Sequence, residues 1–521
     1  MWRRQLSRTT VIGVAFATFV VCCVLPLAYL LATTLGSANA YAAALDSRQR
    51  GLLYNTALLG VGTAALATAI GAPLGVALAR VPLPRKAVIR LFATAPLLLP
   101  PYVVALAWTY FGSPRGPFAA VAGDLAAEWT YSLPAAILVL SLVLYPLSML
   151  ATEVAMRRID GRLEEAALIV APPRRVLRRI TLPLVAPSVL AAALIIFVLA
   201  VSEFGVPGLL RVRVYTTEVF TAFAALYDFG RAVALALPLL LVCVVVAAAA
   251  AILLGDRLLV TRRSMGVSPV VFDGWRRPAA VAVSIVVSIA VAIPVGTLIV
   301  ETSGTRSLGA AVSGSAKAVV NSFVFASVGA TVVVAVAIAI GYMQARAGRA
   351  YRLAAQVLLV VLFAIPSTIV GVGLIGLWNR PGPLGALYGT DAMFLLAYLS
   401  RFVPVAALIL AAATSAISVS QEEAAAVSGA PWGRTMRTIV LPQMRLGITA
   451  AWVVAFVLAF GELGVSVLVA PPGEATLPIR VYTIIANTPS SNVAALALMQ
   501  SLVVFLPVAA LAAYASLRGA R

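Results

Sequence analysis

The sequence predicts an all-α polytopic membrane protein: about twelve transmembrane helices in two parallel six-helix repeats, each carrying one short polar helix. Three observations lead there. The mean hydropathy of the 521 residues is +1.04 and only 11% are charged, where a soluble chain carries about 25% charge. Apolar runs of roughly 20 residues, each long enough to cross about 30 Å of hydrocarbon as a helix, recur along the whole chain. A charged passage is written twice, EEAALIVAPPRRVLRRITLP at 164–183 and EEAAAVSGAPWGRTMRTIVLP at 422–442.

The apolar runs fall near 10–34, 52–79, 88–111, 133–152, 187–210, 232–254, 279–300, 319–344, 353–377, 392–414, 447–470 and 493–517. They are rich in Ala, Leu and Val and unbroken, whereas a transmembrane barrel alternates over about ten residues. The first run is too long for a signal-peptide core and lacks a small-residue cleavage site, so it is expected to be retained. Basic residues are distributed unevenly. Loops 1–9, 80–90, 153–186, 255–278, 345–352, 415–446 and 518–521 hold 27 of the 38 Lys and Arg; the opposite loops hold 10, and Arg401 falls within a span. That bias predicts cytoplasmic N- and C-termini and puts both repeated loops in the cytoplasm. It also accounts for the +20 net charge without a nucleic-acid partner. Cys22, Cys23 and Cys243 all lie in apolar runs, where they read as small hydrophobes with no disulfide or metal spacing.

The repeat extends beyond the polar loop. NTALLGVGTAALATAIGAPLGVALAR at 55–80 aligns without gaps on NSFVFASVGATVVVAVAIAIGYMQAR at 321–346, matching Asn55 to Asn321, Gly75 to Gly341 and Arg80 to Arg346. Pro100 and Pro366 keep that spacing; from the fourth span it shortens by eight, pairing Pro146 with Pro404 and Glu165 with Glu423. The lost residues belong to an outside loop, long at 112–132 and shorter at 378–391, where length changes are tolerated. Both halves start on the same side, so the pseudo-twofold axis runs along the membrane normal and a path between the halves is expected. The predicted division is a first half at 1–257, a basic cytoplasmic linker at 258–278 and a second half at 279–521, with polar loops at 160–183 and 418–442.

Within the second loop, Ser420 and Glu423 stand at capping-box spacing, Ala424 to Ala426 favour helix, and Gly429 suits a left-handed C-terminal position. Pro431 opens a second basic helical stretch that Leu441–Pro442 is expected to close. In the first loop Asp160 is the expected N-cap and Leu182–Pro183 the stop. A helix of about ten residues is only about 15 Å long, too short and polar to span, so it is expected to lie across the cytoplasmic ends of the spans.

Glu-Ala-Ala, a Gly four positions after the second Ala, then Ile-x-Leu-Pro resembles the signature loop of binding-protein-dependent ATP-binding-cassette importer permeases. Glu423, Ala424, Ala425, Gly429, Ile439, Leu441 and Pro442 match; so do Glu165, Ala166, Ala167, Ile180, Leu182 and Pro183, but Ala171 stands where the Gly is expected and the first segment is one residue shorter. The resemblance implies that each loop forms a coupling helix seated in a cleft of a cytoplasmic ATPase subunit. One residue turns a helix by about 100°, so the two loops are expected to dock unequally. No GxxxxGK[ST] phosphate loop occurs; the nearest approach, Gly309 to Lys317, has the wrong order. The chain is therefore expected to bind no cofactor, with ATP and Mg held by a separate ATPase present in two copies. The other expected partners are an extracytoplasmic solute-binding protein and the lipid bilayer of a bacterial inner membrane.

Glu203 and Glu462 are equivalent and each is followed by glycine, Gly205 and Gly464. A charge at the bilayer centre costs at least about 2.5–3.5 kcal/mol, so this pair is read either as a gate or polar lining of the path, or as acceptors capping a broken helix end. Arg401 is expected to make a salt bridge to a neighbouring span. Pro100–Pro101, Pro366, Pro146 and Pro404 mark expected kinks. Within the family, two fused halves with LLLPPYVVALAW, SEFGVPGLL and RVYTTEVF resemble the ferric-iron type; thiamine and aminoethylphosphonate permeases share the fused layout, and polyamine and oxyanion permeases are relatives. A proton-coupled secondary carrier can also have six plus six spans. Its usual Gly- and Arg-rich loop between spans two and three is replaced here by RVPLPRK.

Overall fold

A computed structural model describes residues 2–35, 47–255, 272–303 and 308–519. Ten continuous helices are long and apolar enough to span a membrane: Arg8–Thr33, Gln49–Arg80, Leu133–Arg157, Pro173–Ser202, Phe229–Leu253, Arg276–Thr302, Ala316–Arg346, Ala392–Ser415, Trp432–Phe460 and Ser490–Pro507. Two bent pairs complete the expected twelve: Lys86–Leu98 with Pro101–Phe111, turned by 89°, and Arg349–Ala364 with Ser367–Trp378, turned by 92°. Counting the pairs as spans 3 and 9, the order is two sets of six. Most of the expected 258–278 linker, residues 258–271, lies outside the described residues.

The bends sit at Pro100 and Pro366, both extended (ψ 130° and 137°). A proline cannot donate to the preceding turn and disfavours helix in the residue before it, and Leu99 and Ile365 are extended too. The carbonyls freed there find new donors. Tyr145 donates to Ala93 O at 2.8 Å, while Arg401 donates to Ile365 O and, at 3.4 Å, to Phe363 O. Among the described residues Arg401 thus makes no salt bridge of the expected kind and satisfies a broken helix instead, because the bend leaves carbonyl acceptors within its reach. Pro146 and Pro404, by contrast, lie inside helices that continue without a break.

Two further expectations are corrected. Spans 5 and 11 end at Ser202 and Phe460 instead of 210 and 470, since the chain turns extended or loops at the following glutamates. Leu182–Pro183 and Leu441–Pro442 do not stop the basic helices either. Each helix runs on through a widened turn, Leu177–Thr181 or Met436–Val440, in which Leu182 N–H reaches Leu177 O and Leu441 N–H reaches Met436 O. That five-residue hydrogen bond relieves the clash a proline makes with the carbonyl four residues back.

The halves interlock. Span 1 packs against span 8, and Cys23 donates to Leu399 O of span 10 at 3.4 Å. Reciprocally, Ala279, Val283 and Ala290 of span 7 join the buried cluster of the first half. The three cysteines are unpaired and buried, as small apolar residues should be. Inside each half, spans 2 and 4, or 8 and 10, touch backbone to backbone. A Cβ on Gly75 would lie 2.4 Å from Met149 O, and one on Gly341 2.8 Å from Ala407 O. In lipid, where apolar burial gives no preference for helix over chain neighbours, small residues of this kind set the approach.

Candidate functional site

Each half carries one short polar helix beyond the ends of its spans, Gly161–Leu168 in the first and Val419–Val427 in the second. In the first, Asp160 is the N-cap and accepts from Arg162 N–H at 3.1 Å. In the second, the cap is Ser418, two residues ahead of the expected Ser420, and it makes no side-chain cap bond. Glu422 in its first turn is instead drawn to Arg346.

That attachment is built twice. Arg80, the last residue of span 2, donates to Glu164 at 2.9 Å and to Met156 O at 3.2 Å, and Thr181 donates to the same carboxylate at 2.7 Å. In the second half Arg346 donates to Glu422 through Nε at 2.8 Å and through a second guanidinium nitrogen, while Tyr342 donates to Glu422 at 2.7 Å. The first pair is almost fully buried, with side chains 4% and 2% exposed; the second is 14% and 15% exposed. Sequence reasoning missed Glu164, Glu422, Tyr342 and Thr181 and gave Arg80 and Arg346 no role. The signal was present: the arginines recur 266 residues apart and the glutamates 258 apart, the spacings of the two aligned blocks.

With the first glutamate of each EE pair turned inward, the second faces outward. Glu165, Ala166, Glu423 and Ala424 are exposed, Ala167 and Ala425 half-buried. Beyond each helix stand large apolar residues with little cover: Ile169 at 86% exposed, Val170 at 82% and Val427 at 90%. The helix ends differ. Gly429 is left-handed (φ 79°) and Ala430 N–H closes on Ala425 O at 2.9 Å. Ala171 keeps a negative φ and bonds to Ala167 O at 3.0 Å, as a residue with a Cβ should. Leu182, Pro183 and Pro442 are exposed and Leu441 half-buried at the widened turns that lead into spans 5 and 11.

The second group of candidate residues gathers between the halves. Glu203 follows span 5 directly, accepts Gly205 N–H at 2.9 Å on its side chain and Thr216 Oγ1 at 3.0 Å on its carbonyl. Glu462 accepts Val465 N–H at 3.0 Å. Both carboxylates are half-buried. Gly205 approaches Tyr102 and Leu463 so closely that a Cβ would lie 2.6 and 3.6 Å from them; at Gly464 a Cβ would meet Ser367 Oγ at 2.1 Å. Contacts across the halves are symmetric: Ser202 donates to Ala364 O in the bend of span 9 at 3.0 Å, and its counterpart Gly461 abuts Pro100 in the bend of span 3. Tyr102 of the first half also donates to Gln500 of the second. So each broken helix end rests on the bent span of the opposite half.

The span ends opposite the polar helices are tied alike. Asn55 donates to Arg213 O at 3.2 Å, and Asn321 donates to Ala475 O at 3.3 Å and to Glu474 at 2.7 Å. Hydrogen bonds from Lys317 (2.6 Å) and Asn321 hold the Glu474 carboxyl below its ordinary value.

Comparison with known proteins matches this architecture. The profile of the binding-protein-dependent transport system inner membrane component matches residues 71–256 and again 337–518, more than half of the chain. The chain is 24% identical over 508 residues to the Fe(3+)-transport system permease protein FbpB 2 of Haemophilus influenzae, covering 94% of this chain and 96% of that protein. A protein of the same organism named as a ferric transport system permease, FbpB 1, is 22% identical over 76% of this chain and 65% of its own length. A protein of Salmonella paratyphi A named as a 2-aminoethylphosphonate transport system permease, PhnV, is 33% identical over 28% of this chain and 55% of its own. With that domain present twice, on two interlocked helical halves, this chain belongs to the binding-protein-dependent transport system inner membrane components, as a permease of the ABC importer family.

Proposed function

We propose that this chain is the translocation subunit of an ATP-driven importer, with both termini in the cytoplasm. Two copies of a cytoplasmic ATPase engage the helices Gly161–Leu168 and Val419–Val427, and an extracytoplasmic binding protein delivers the solute to the opposite face. The observation that carries this reading is the doubled anchor, Arg80 to Glu164 and Arg346 to Glu422. A polar helix clamped to the end of a span, with Glu165 or Glu423 and a large apolar tip residue exposed among the described residues, suits a lever worked by another subunit. Glu165, Ala166, Ala167 and Ala171, and Glu423, Ala424, Ala425 and Gly429, form the docking faces. Leu182–Pro183 and Leu441–Pro442 carry the movement through the widened turns into spans 5 and 11. ATP and Mg belong to the ATPase; this chain supplies no hydrolytic group.

Closure of the ATPase dimer draws the two levers together. The end of spans 2 and 8 follows through the guanidiniums, and spans 5 and 11 follow through their continuous helices. Those spans end just before Glu203 and Glu462, and Ser202 and Gly461 at their ends lie against the opposite half's bent span. A rocking of the halves therefore separates the broken ends from the bends and opens the path there. The backbone N–H caps keep both carboxylates in place at its wall.

For the solute we propose ferric iron, on the full-length similarity to the Haemophilus protein and because paired carboxylates at the path suit a hard cation. Reconstitution tests both levels. Vesicles holding the chain, its ATPase and its binding protein should accumulate ferric iron only with ATP. Uptake driven by a proton gradient without any ATPase would end the importer reading; ATP-dependent uptake of 2-aminoethylphosphonate but not iron would end the substrate reading alone.

A further inference from the structure

We infer that the first half holds one anionic phospholipid in a groove between spans 2, 5 and 7. The groove encloses about 890 Å³ and runs along Thr68–Val81 on one side and Leu182–Ala193 on the other, with Ala279 behind. Eleven residues of helix rise about 17 Å, close to half of the roughly 30 Å hydrocarbon thickness. The groove is thus one leaflet deep, and its walls (Ala72, Val76, Val189, Ala193) are almost wholly hydrocarbon.

Its mouth has the opposite character. Arg174 and Arg178 line the groove at the level of the polar helix and, with Arg175 and Arg179, line an adjoining cavity of about 540 Å³. All four are exposed except at their packed stems, and none forms an ion pair among the described residues. The Arg174 guanidinium lies 5.8 Å over the Trp275 ring, an aromatic placed as interfacial anchors are. Like charges one turn apart on a helix destabilise it, so four guanidiniums on one face favour bound negative charge. A small anion would answer the arginines and leave the groove empty. A neutral lipid would fill the groove and leave the arginines unmatched. A phosphate head with acyl chains satisfies both, and basic pockets between helices at the cytoplasmic face are where anionic head groups bind.

The second half lacks the same set of four arginines. Positions equivalent to Arg174 and Arg179 are Gly433 and Thr438, and the neighbouring Trp432 is packed edge-on against Tyr342, their ring centroids 6.3 Å apart. The difference assigns the site to the first half, and it does not depend on the transport reading above.

Native mass spectrometry of the full chain, extracted from vesicles of equal phosphatidylglycerol and phosphatidylcholine, tests it. One phosphatidylglycerol should remain bound in preference to phosphatidylcholine. Arg174→Gln with Arg178→Gln should weaken its retention about thirtyfold, at roughly fivefold per guanidinium near a membrane surface. Val189→Trp, which blocks the groove and leaves every arginine, should abolish retention in protein that still elutes as a single species. Arg434→Gln with Arg437→Gln should change nothing, and millimolar glycerol phosphate should not displace the lipid. Equal retention of the two lipids, unchanged binding in either first-half variant, or displacement by the soluble head group would each overturn the inference.

Discussion

Replacing Glu164 by Gln isolates the anchor of the first polar helix. Gln keeps the size of the side chain and one acceptor oxygen for Arg80 and Thr181, and replaces the charge and the second oxygen by a neutral amide NH2. At 2.9 Å an ion pair is worth about 6 kcal/mol of Coulomb attraction at an effective dielectric of about 20; desolvation offsets much of that. What the variant exposes is the cost of leaving Arg80, 4% exposed, buried without its counter-ion, about 3–5 kcal/mol. The docked-to-undocked ratio of the helix should fall by roughly two to three and a half powers of ten, since about 1.4 kcal/mol is tenfold. Hydrogen exchange of the Gly161–Leu168 amides in reconstituted vesicles reads this directly, and protection there should drop while span amides keep theirs. Solute uptake per ATP hydrolysed should fall with it. Glu422→Gln should act more weakly, because that pair is 14–15% exposed and Tyr342 remains as a donor. Exchanging the charges, Arg80→Glu with Glu164→Arg, should restore part of the loss. Wild-type protection and coupling in Glu164→Gln, or a double exchange no better than its worse single variant, would refute the reasoning.

Three other outcomes are expected. Gly429→Val meets open space but a φ of 79°; it should cost about 1–2 kcal/mol of local helix stability and lower uptake, while Gly429→Asn is tolerated, and equal effects of the two would count against the left-handed cap. Glu203→Gln and Glu462→Gln keep the caps on Gly205 and Val465 yet remove charge from the path, so iron uptake should fall while the thermal midpoint holds; a lowered midpoint with normal uptake would return both to helix-end duty. At the span ends opposite the polar helices, the hydrogen bonds from Lys317 and Asn321 depress Glu474 below its ordinary 4.5. The link is therefore fully present above that pH and is lost as pH falls through the depressed value, so proteolytic protection of the loop around Glu474 should decline only in acid and Glu474→Gln should make it pH-independent.

Twelve spans, their parallel repeat and the two polar helices were legible in the sequence because hydropathy and self-similarity are local or additive signals. The surroundings of Glu203 and Glu462 were legible only in part. Glu203 and Glu462 sit inside runs that remain apolar to 210 and 470, so composition alone carried the helix past its end; the break is made by side chains capping backbone amides two and three residues on. The Leu-Pro pairs looked like stops because a proline ordinarily ends a helix, and a widened turn that absorbs one leaves no compositional trace. Arg401 was assigned a carboxylate because a buried charge needs a partner; that the partner would be carbonyls freed by Pro366 depends on a bend in a different span. Anchor glutamates stayed hidden behind their neighbours, since EE reads as one charged patch until the helix is fixed and one member turns inward to Arg80 or Arg346. The interlocking of span 1 with the second half, and span 7 with the first, has no sequence signal of its own.

The most direct test of the account is to cross-link the polar helices to the motor. With cysteines introduced at Glu165 and Glu423 and the native Cys22, Cys23 and Cys243 changed to Ala, each site should form a disulfide with a cysteine-bearing ATPase subunit, one subunit per helix, and locking both should stop uptake until reduction. Labelling of those two positions from the extracytoplasmic side of intact cells, or full uptake with both helices locked, would contradict it.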